Sequence, residues 1–223
     1  MTEVGQIVVT GLHQQGAGEP APNVRGFVRS PFNPLIYHSV KMAAEQAALT
    51  RESLPTDRRG IMLASMFTDA VTQQETWTDM INGKKISPIM FPQSVPSAII
   101  GFLAKELNIH GPMTCLGGSR NGVKLALQQA ADWLIDGDAD AVAVTFCDVP
   151  SWRAQAWVEQ FGGREGASFG GGVVTAVLEP AALAAGRGCE PLMTLEAFAA
   201  WMDGGAADGR DKPAYHGMAS GLR

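Results

Sequence analysis

An α/β fold built on a mostly parallel or mixed sheet is what this sequence predicts, and three observations carry that expectation. Ala141-Val142-Ala143-Val144-Thr145-Phe146 and Val173 to Leu178 are continuous apolar runs, the pattern of strands buried on both faces. Val123 to Ile135 has the spacing of a strong amphipathic helix, stopped at Gly137. Runs of the two kinds alternate along the chain, as they do in layered α/β proteins.

Taken in order, Ile7-Val8-Val9-Thr10 reads as a first buried strand, and Met42, Ala43, Ala47 and Leu49 are spaced for one face of a helix over 39–49. Gly60 to Ala64 is a second strand. A helix over 72–81 is ended by Asn82-Gly83, and another over 94–107 is broken by His110-Gly111-Pro112. Glycine crowds residues 162–172 and again 204–209. The second cluster, with Asp203, Asp208 and Asp211, reads as a loop or flexible tail, so ordered structure is expected to end near residue 200.

A chain of 223 residues suits one large domain. Its net charge of −5, with the basic residues scattered, leaves no electrostatic footprint for nucleic acid. No stretch approaches the roughly 18–20 apolar residues of a membrane span, and the amino end lacks the basic-then-apolar pattern of a secretion signal, so a cytoplasmic protein is expected. Cys115, Cys147 and Cys189 are odd in number and widely spaced, with no CxxC pair and no neighbouring histidine. Neither disulfides nor a structural metal is expected from them, and no cofactor is expected.

The most informative segment is Gly111-Pro112-Met113-Thr114-Cys115-Leu116-Gly117-Gly118-Ser119-Arg120-Asn121-Gly122, followed by the Ala-rich helix and Gly137-Asp138-Ala139-Asp140. Together with Ile7 to Leu12, Ser87 to Pro92 followed by Ser94 to Gly101, and Glu165-Gly166 through Glu179, it resembles β-ketoacyl synthases of the thiolase fold, with the pieces in the family's order. The last stretch resembles a closing hairpin that normally reads DGxxxGEGAxxxVLE. The resemblance covers residues 7–188. It implies one half of the layered α-β-α-β-α fold with a mixed five-stranded sheet; the domain is expected over 1–188, and the glycine content marks 189–223 as an extension.

Three departures qualify the resemblance. An ungapped count from Gly111 to Asp140 puts Arg120 on the family's cysteine nucleophile, and Gly171 stands where the closing motif has glutamate. The resemblance also ends before the family's second half, which carries two catalytic histidines. His13, His38, His110 and His216 sit in no matching motif. A condensing enzyme needs a thiolate, held at a strand-to-helix turn where helix N–H groups lower its pKa and bind the oxyanion. A guanidinium is not a nucleophile at any accessible pH. Beside the positive end of a helix Arg120 is disfavoured by roughly 0.3–1 kcal/mol, so it calls for a carboxylate or carbonyl partner, such as one from another subunit. The plainer reading is a solvent-exposed turn arginine.

By this resemblance the chain is expected to be a non-catalytic, chain-length-factor-like subunit of a type II polyketide or fatty-acid synthase, of the kind found in aryl-polyene pathways. Such a subunit pairs with an active ketosynthase as a heterodimer, meets acyl carrier protein through the complex and shapes the acyl tunnel. Phe67, Met90, Phe91, Ser97, Ile100, Phe102 and Arg120 are the expected tunnel or interface residues, with plain core packing as the alternative for the apolar ones. A half fold alone is also expected to leave a broad apolar face in need of cover. Two other functions stay open. One is a stand-alone acyltransferase or thiolase-like enzyme using Cys115 or Ser119. The other is a carrier-protein docking module using Arg58, Arg59, Lys84 and Lys85.

Overall fold

The structure, a computed structural model, describes residues 6–49, 52, 54–85, 88, 93–118, 121–161 and 169–204. Strand β1 (Ile7–Gly16) runs well past the expected stop at Thr10. Its pairing shifts register between Val9 and Gly11, and the missing side chain at Gly11 lets the next helix press against the strand: a Cβ there would lie 2.0 Å from the Ala43 carbonyl oxygen. That helix, α1 (Asn33–Gln46), starts six residues earlier than the spacing suggested. Pro34 suits its first turn, and Ser30 Oγ accepts the free N–H groups of Phe32 (3.2 Å) and Asn33 (2.9 Å).

Strand β2 (Arg59–Ser65) follows a short 3-10 turn, and helix α2 (Ala70–Ile81) is capped by Asp69, whose carboxylate accepts the Thr72 N–H at 3.1 Å. Helix α3 (Pro96–Leu107) opens on a proline and closes at Asn108, which takes the left-handed conformation with φ 54°. Then come β3 (Met113–Gly117), α4 (Gly122–Ile135), β4 (Ala141–Asp148), α5 (Trp152–Phe161), β5 (Gly172–Pro180), α6 (Ala181–Gly186), β6 (Met193–Thr194) and α7 (Leu195–Met202).

The described strands form one mixed sheet in the order β3-β2-β4-β5-β1-β6. Strands β3, β2 and β4 are parallel, while β5, β1 and β6 each run antiparallel to the neighbour before them. The sheet therefore has six strands, not the five expected. The extra one, β6, pairs Thr194 with Val8 and Met193 with Val9 beyond the boundary drawn at 188. Helix α7 follows it and buries Phe198, Trp201 and Met202 in the core. Its apolar residues fall at helical spacing, and they were masked by the glycine-rich stretch beside them. Residues 205–223, expected as a tail, lie outside the described residues.

Alternate side chains divide the core in two. Ile61, Leu63, Ala143 and Val177 face α1 and α3, whereas Met62, Val144, Phe146, Val174 and Leu178 face α4 and α7. Both sheet faces are thus covered, and the broad uncovered apolar face expected of a half fold is not what the described residues show. The outer side of α4 carries exposed Lys124, Gln128, Gln129, Asp132 and Asp136, although Leu125 and Ile135 are also exposed there. The open apolar surface is more local. It includes Trp77, Met80 and Ile81 on one side of α2, and Met113 on β3.

One buried ion pair ties the far side of the sheet together. Glu179 on β5 is fully buried, accepts a bond from Thr10 Oγ1, and is gripped by Arg187 Nη2 at 2.7 and 2.8 Å. The same guanidinium donates to the carbonyls of Ala47 and Ala48 at 3.2 and 3.3 Å, satisfying the carboxyl end of α1.

Candidate functional site at the carboxyl ends of the parallel strands

Strand β3 ends at Gly117, Gly118 turns at φ +71° with its N–H on the Ser65 carbonyl (3.2 Å), and Asn121 begins α4. This is a strand-to-helix elbow at the carboxyl edge of the parallel strands, where α/β sheets bind ligands. By sequence, Ser119 and Arg120 fall inside the elbow, but both lie outside the described residues.

Asp148, at the end of β4 and 1 % exposed, organises the neighbouring loop. Its carboxylate accepts from Ser65 Oγ (2.7 Å), Met66 N–H (3.1 Å) and Phe67 N–H (2.8 Å). Ser65 Oγ in turn accepts the Thr68 N–H at 2.8 Å. Gly171 lies against the same strand end with φ +66°, and a Cβ there would meet the Asp148 carbonyl oxygen at 2.7 Å. Sequence reasoning missed Asp148, because it ended the strand at Phe146. The available signal was a lone carboxylate closing an otherwise apolar run.

Of the expected tunnel residues, Phe67 is buried beside this loop with its ring edge-on to Phe169 (5.5 Å between centroids). Ile100 is buried in the α1–α3 core, and Phe102 stacks edge-on to Phe27 at 5.5 Å and leans on Tyr37. Ser97 is exposed on the first turn of α3. These four do not line one wall: Ile100 and Phe102 contribute to packing on the α1 side, and Phe67 alone stands by the elbow loop. Met90 and Phe91 lie outside the described residues.

Cys115 is half-buried in the middle of β3, on the side facing the α1–α3 core, and burial pushes its thiol up to about 11. At neutral pH about one thiol in ten thousand would be ionised. Cys147 is fully buried, and burial together with the nearby Asp148 carboxylate raises its thiol well above the ordinary value. Cys189 donates to the Ala47 carbonyl.

The histidines do not gather at the elbow. His13 and His38 meet edge to face at 5.2 Å on the sheet side covered by α1, opposite α4. His13 Nδ1 lies 3.2 Å from Ser39 Oγ, which donates to Thr175 Oγ1 (2.8 Å), and that hydroxyl meets Thr145 Oγ1 at 3.0 Å. His110 precedes β3, at the opposite end of the sheet, and His216 lies outside the described residues. The described residues contain no group of three or more His, Cys, Asp or Glu side chains suited to a metal ion, and no helix long and apolar enough to cross a membrane.

Three of the four basic residues considered for docking have internal partners. Arg58 pairs with Asp140 at 2.6 Å and bonds the Gly137 carbonyl; Arg59 is buried and donates to the Leu54 carbonyl; Lys84 pairs with Asp79 at 2.7 Å. Lys85 is exposed.

A mixed sheet covered by helices on both faces, with an elbow between β3 and α4, defines a layered α/β protein. The family model for the N-terminal domain of β-ketoacyl synthases matches residues 38–157, and the chain belongs to that family. Its fold is the thiolase-like ketosynthase fold. Among solved structures it is similar to a ketosynthase of a type II polyketide synthase in complex with its acyl-carrier protein, AntDE:AntF (TM-score 0.68, 15 % identity, 85 % of this chain and 61 % of that one). It is similar to the ishigamide ketosynthase/chain length factor (TM-score 0.63, 16 % identity, 80 % and 63 %). It is also similar to a ketosynthase in complex with its chain length factor from Xenorhabdus doucetiae (TM-score 0.67, 13 % identity, 81 % and 59 %). The chain thus spans about six tenths of the length of these proteins. A search of curated proteins gave no match.

Proposed function

We propose that this chain is a non-catalytic ketosynthase-like subunit, a chain length factor, that pairs with an active β-ketoacyl synthase and shapes the tunnel in which a polyketide or fatty-acyl chain grows. One observation carries the reading: the elbow of the fold is kept while its thiolate is not. Arg120 occupies the sequence between Gly118 and Asn121, and the nearest cysteine along the chain, Cys115, sits within β3 with its thiol raised to about 11. A guanidinium cannot accept an acyl group, and a protonated thiol facing a packed core does so slowly.

Pairing is supported by two exposed features. Among the described strands β3 pairs with β2 alone, which leaves its other edge without a described partner strand, and Met113 on β3 is 50 % exposed. The apolar stripe on α2 adds surface of the kind that partner chains cover. In this reading Phe67, Met90, Phe91, Ser97, Ile100, Phe102 and Arg120 line the tunnel or the interface, and Phe67 is the strongest of them because it stands beside the elbow loop. Acyl carrier protein is met through the complex, in the cytoplasm. The internal pairing of Arg58, Arg59 and Lys84 weighs against a separate carrier-protein docking module.

The test is condensation by an active ketosynthase with and without this chain, using a carrier-bound acyl primer and extender. A non-catalytic partner alters the yield or length of product and takes up no acyl group itself. Acylation of the isolated chain, read as a mass shift on Cys115 or Ser119, supports the stand-alone enzyme instead.

A further inference from the structure

Phe67 is a buried ring that neither half of the core contains. It is 7 % exposed, yet it stands apart from both clusters that pack the faces of the sheet, and it meets Phe169 edge-on. The loop that carries this ring, rather than the core, fixes where it sits.

That loop hangs on Asp148. Three successive N–H groups, those of Met66, Phe67 and Thr68, turn toward the end of β4. Asp148 Oδ2 accepts the first at 3.1 Å and Oδ1 the second at 2.8 Å. Ser65 Oγ accepts the third at 2.8 Å and itself donates to Asp148 Oδ1 at 2.7 Å. A run of N–H groups aimed at one carboxylate has the form of an anion nest, with the chain's own aspartate as the anion. Thr68 is left-handed, φ 57°, a conformation that threonine keeps only where its surroundings impose it. Gln73 Nε2 holds the Thr68 hydroxyl at 3.0 Å.

The backbone of Asp148 governs the other ring. Asp148 lies opposite Gly172 in the β4–β5 pairing, and Gly171, two residues from Phe169, presses on its carbonyl. One residue thus fixes both members of the aromatic pair. Ser65 also gives its carbonyl to the Gly118 N–H, so the same lock reaches the elbow.

We propose that Asp148 is a positioning residue for product length: it holds Phe67 against Phe169, and this aromatic pair forms the wall that stops the growing acyl chain. The inference rests on the reading of Phe67 as a tunnel residue. At 1 % exposure Asp148 touches no acyl chain and acts through Phe67. A wall that sets a fixed length must not yield, and a ring outside the core is as firm as the hydrogen bonds behind it. A buried carboxylate is costly unless donors meet it, so the aspartate and the loop hold each other in place.

The experiment compares product chain length from an active ketosynthase reconstituted with wild-type chain, Asp148→Asn, Phe67→Ala and the double variant, with the unfolding midpoint of each chain measured alongside. Asparagine keeps the shape of aspartate, but in either orientation its amide sets a donor against the Met66 or the Phe67 N–H. The expected result is a shift toward longer products with Asp148→Asn, in the direction of Phe67→Ala and smaller, while the double variant gives the distribution of Phe67→Ala alone. An aspartate that served stability alone would lower yield in both backgrounds and leave the length distribution where it was. A folded Asp148→Asn chain with wild-type product lengths overturns the proposal and leaves the tunnel reading standing. So does a shift just as large when Phe67 is already gone. Unchanged length with Phe67→Ala overturns the tunnel reading and this proposal with it. Should Asp148→Asn fail to fold, Ser65→Ala decides by the same comparison, because it keeps the carboxylate and both of its N–H bonds but frees the Thr68 N–H.

Discussion

Gly171 sits so close to the end of β4 that a Cβ on it would come to 2.7 Å from the carbonyl oxygen of Asp148 and 2.9 Å from Pro150 Cδ. The position that by the motif resemblance corresponds to the closing hairpin's glutamate is here a left-handed turn, φ +66°, that excludes any side chain. Gly171→Glu should therefore not restore a family feature. It should destabilise the chain by about 2 kcal/mol or more in chemical denaturation, as should Gly171→Ala, because strain and clash act together.

The Glu179–Arg187 pair should be the costliest polar contact to break. With Glu179 fully buried, Arg187→Met leaves an unpaired carboxylate and frees the Ala47 and Ala48 carbonyls just past α1, at an expected cost of about 3–5 kcal/mol. The double variant Glu179→Gln, Arg187→Met should recover a large part of that loss in the same denaturation assay.

His13 should make stability fall in mild acid. Burial, and then the neighbouring His38, hold its pKa below the ordinary 6.5, against a smaller upward pull from Glu19. The unfolded chain therefore binds a proton more readily than the folded one. Stability tied to the neutral ring is present above about pH 6.5 and is lost as pH falls below it. Replacing His13 by Gln should flatten the pH dependence of the unfolding midpoint in that window.

Cys115 should resist alkylation. With its thiol at about 11, iodoacetamide at pH 8 should label it far more slowly than a free cysteine of ordinary pKa, read by mass spectrometry of the native chain. Rapid labelling would return Cys115 to consideration as a nucleophile.

What the sequence made legible was the part of the fold governed by local pattern. The apolar runs at 141–146 and 173–178 became β4 and β5, and the amphipathic stretch from Val123 became α4, because strands buried on both faces and helices stopped by glycine leave strong traces. Strand β1 was read too short: its pairing continues past a bulge at Gly11 through polar His13 to Gln15, held by β5 rather than by apolar pattern. β6 spans two residues and has no signature without its partner Val9. The elbow and the family were visible through the order of the motifs. Asp148, Asp69 and their hydrogen-bonded loops were not, since their roles depend on chain ends that only folding brings together.

A subunit that changes what an active ketosynthase makes, without itself carrying an acyl group, is read out by the product chain length of a reconstituted ketosynthase with wild-type chain, with Phe67→Ala, and with no chain. Altered yield or length is expected when the chain is present, with a further shift toward longer products for Phe67→Ala and no acyl adduct on the chain. Identical products in all three reactions, or acyl transfer by the chain alone, would contradict that role.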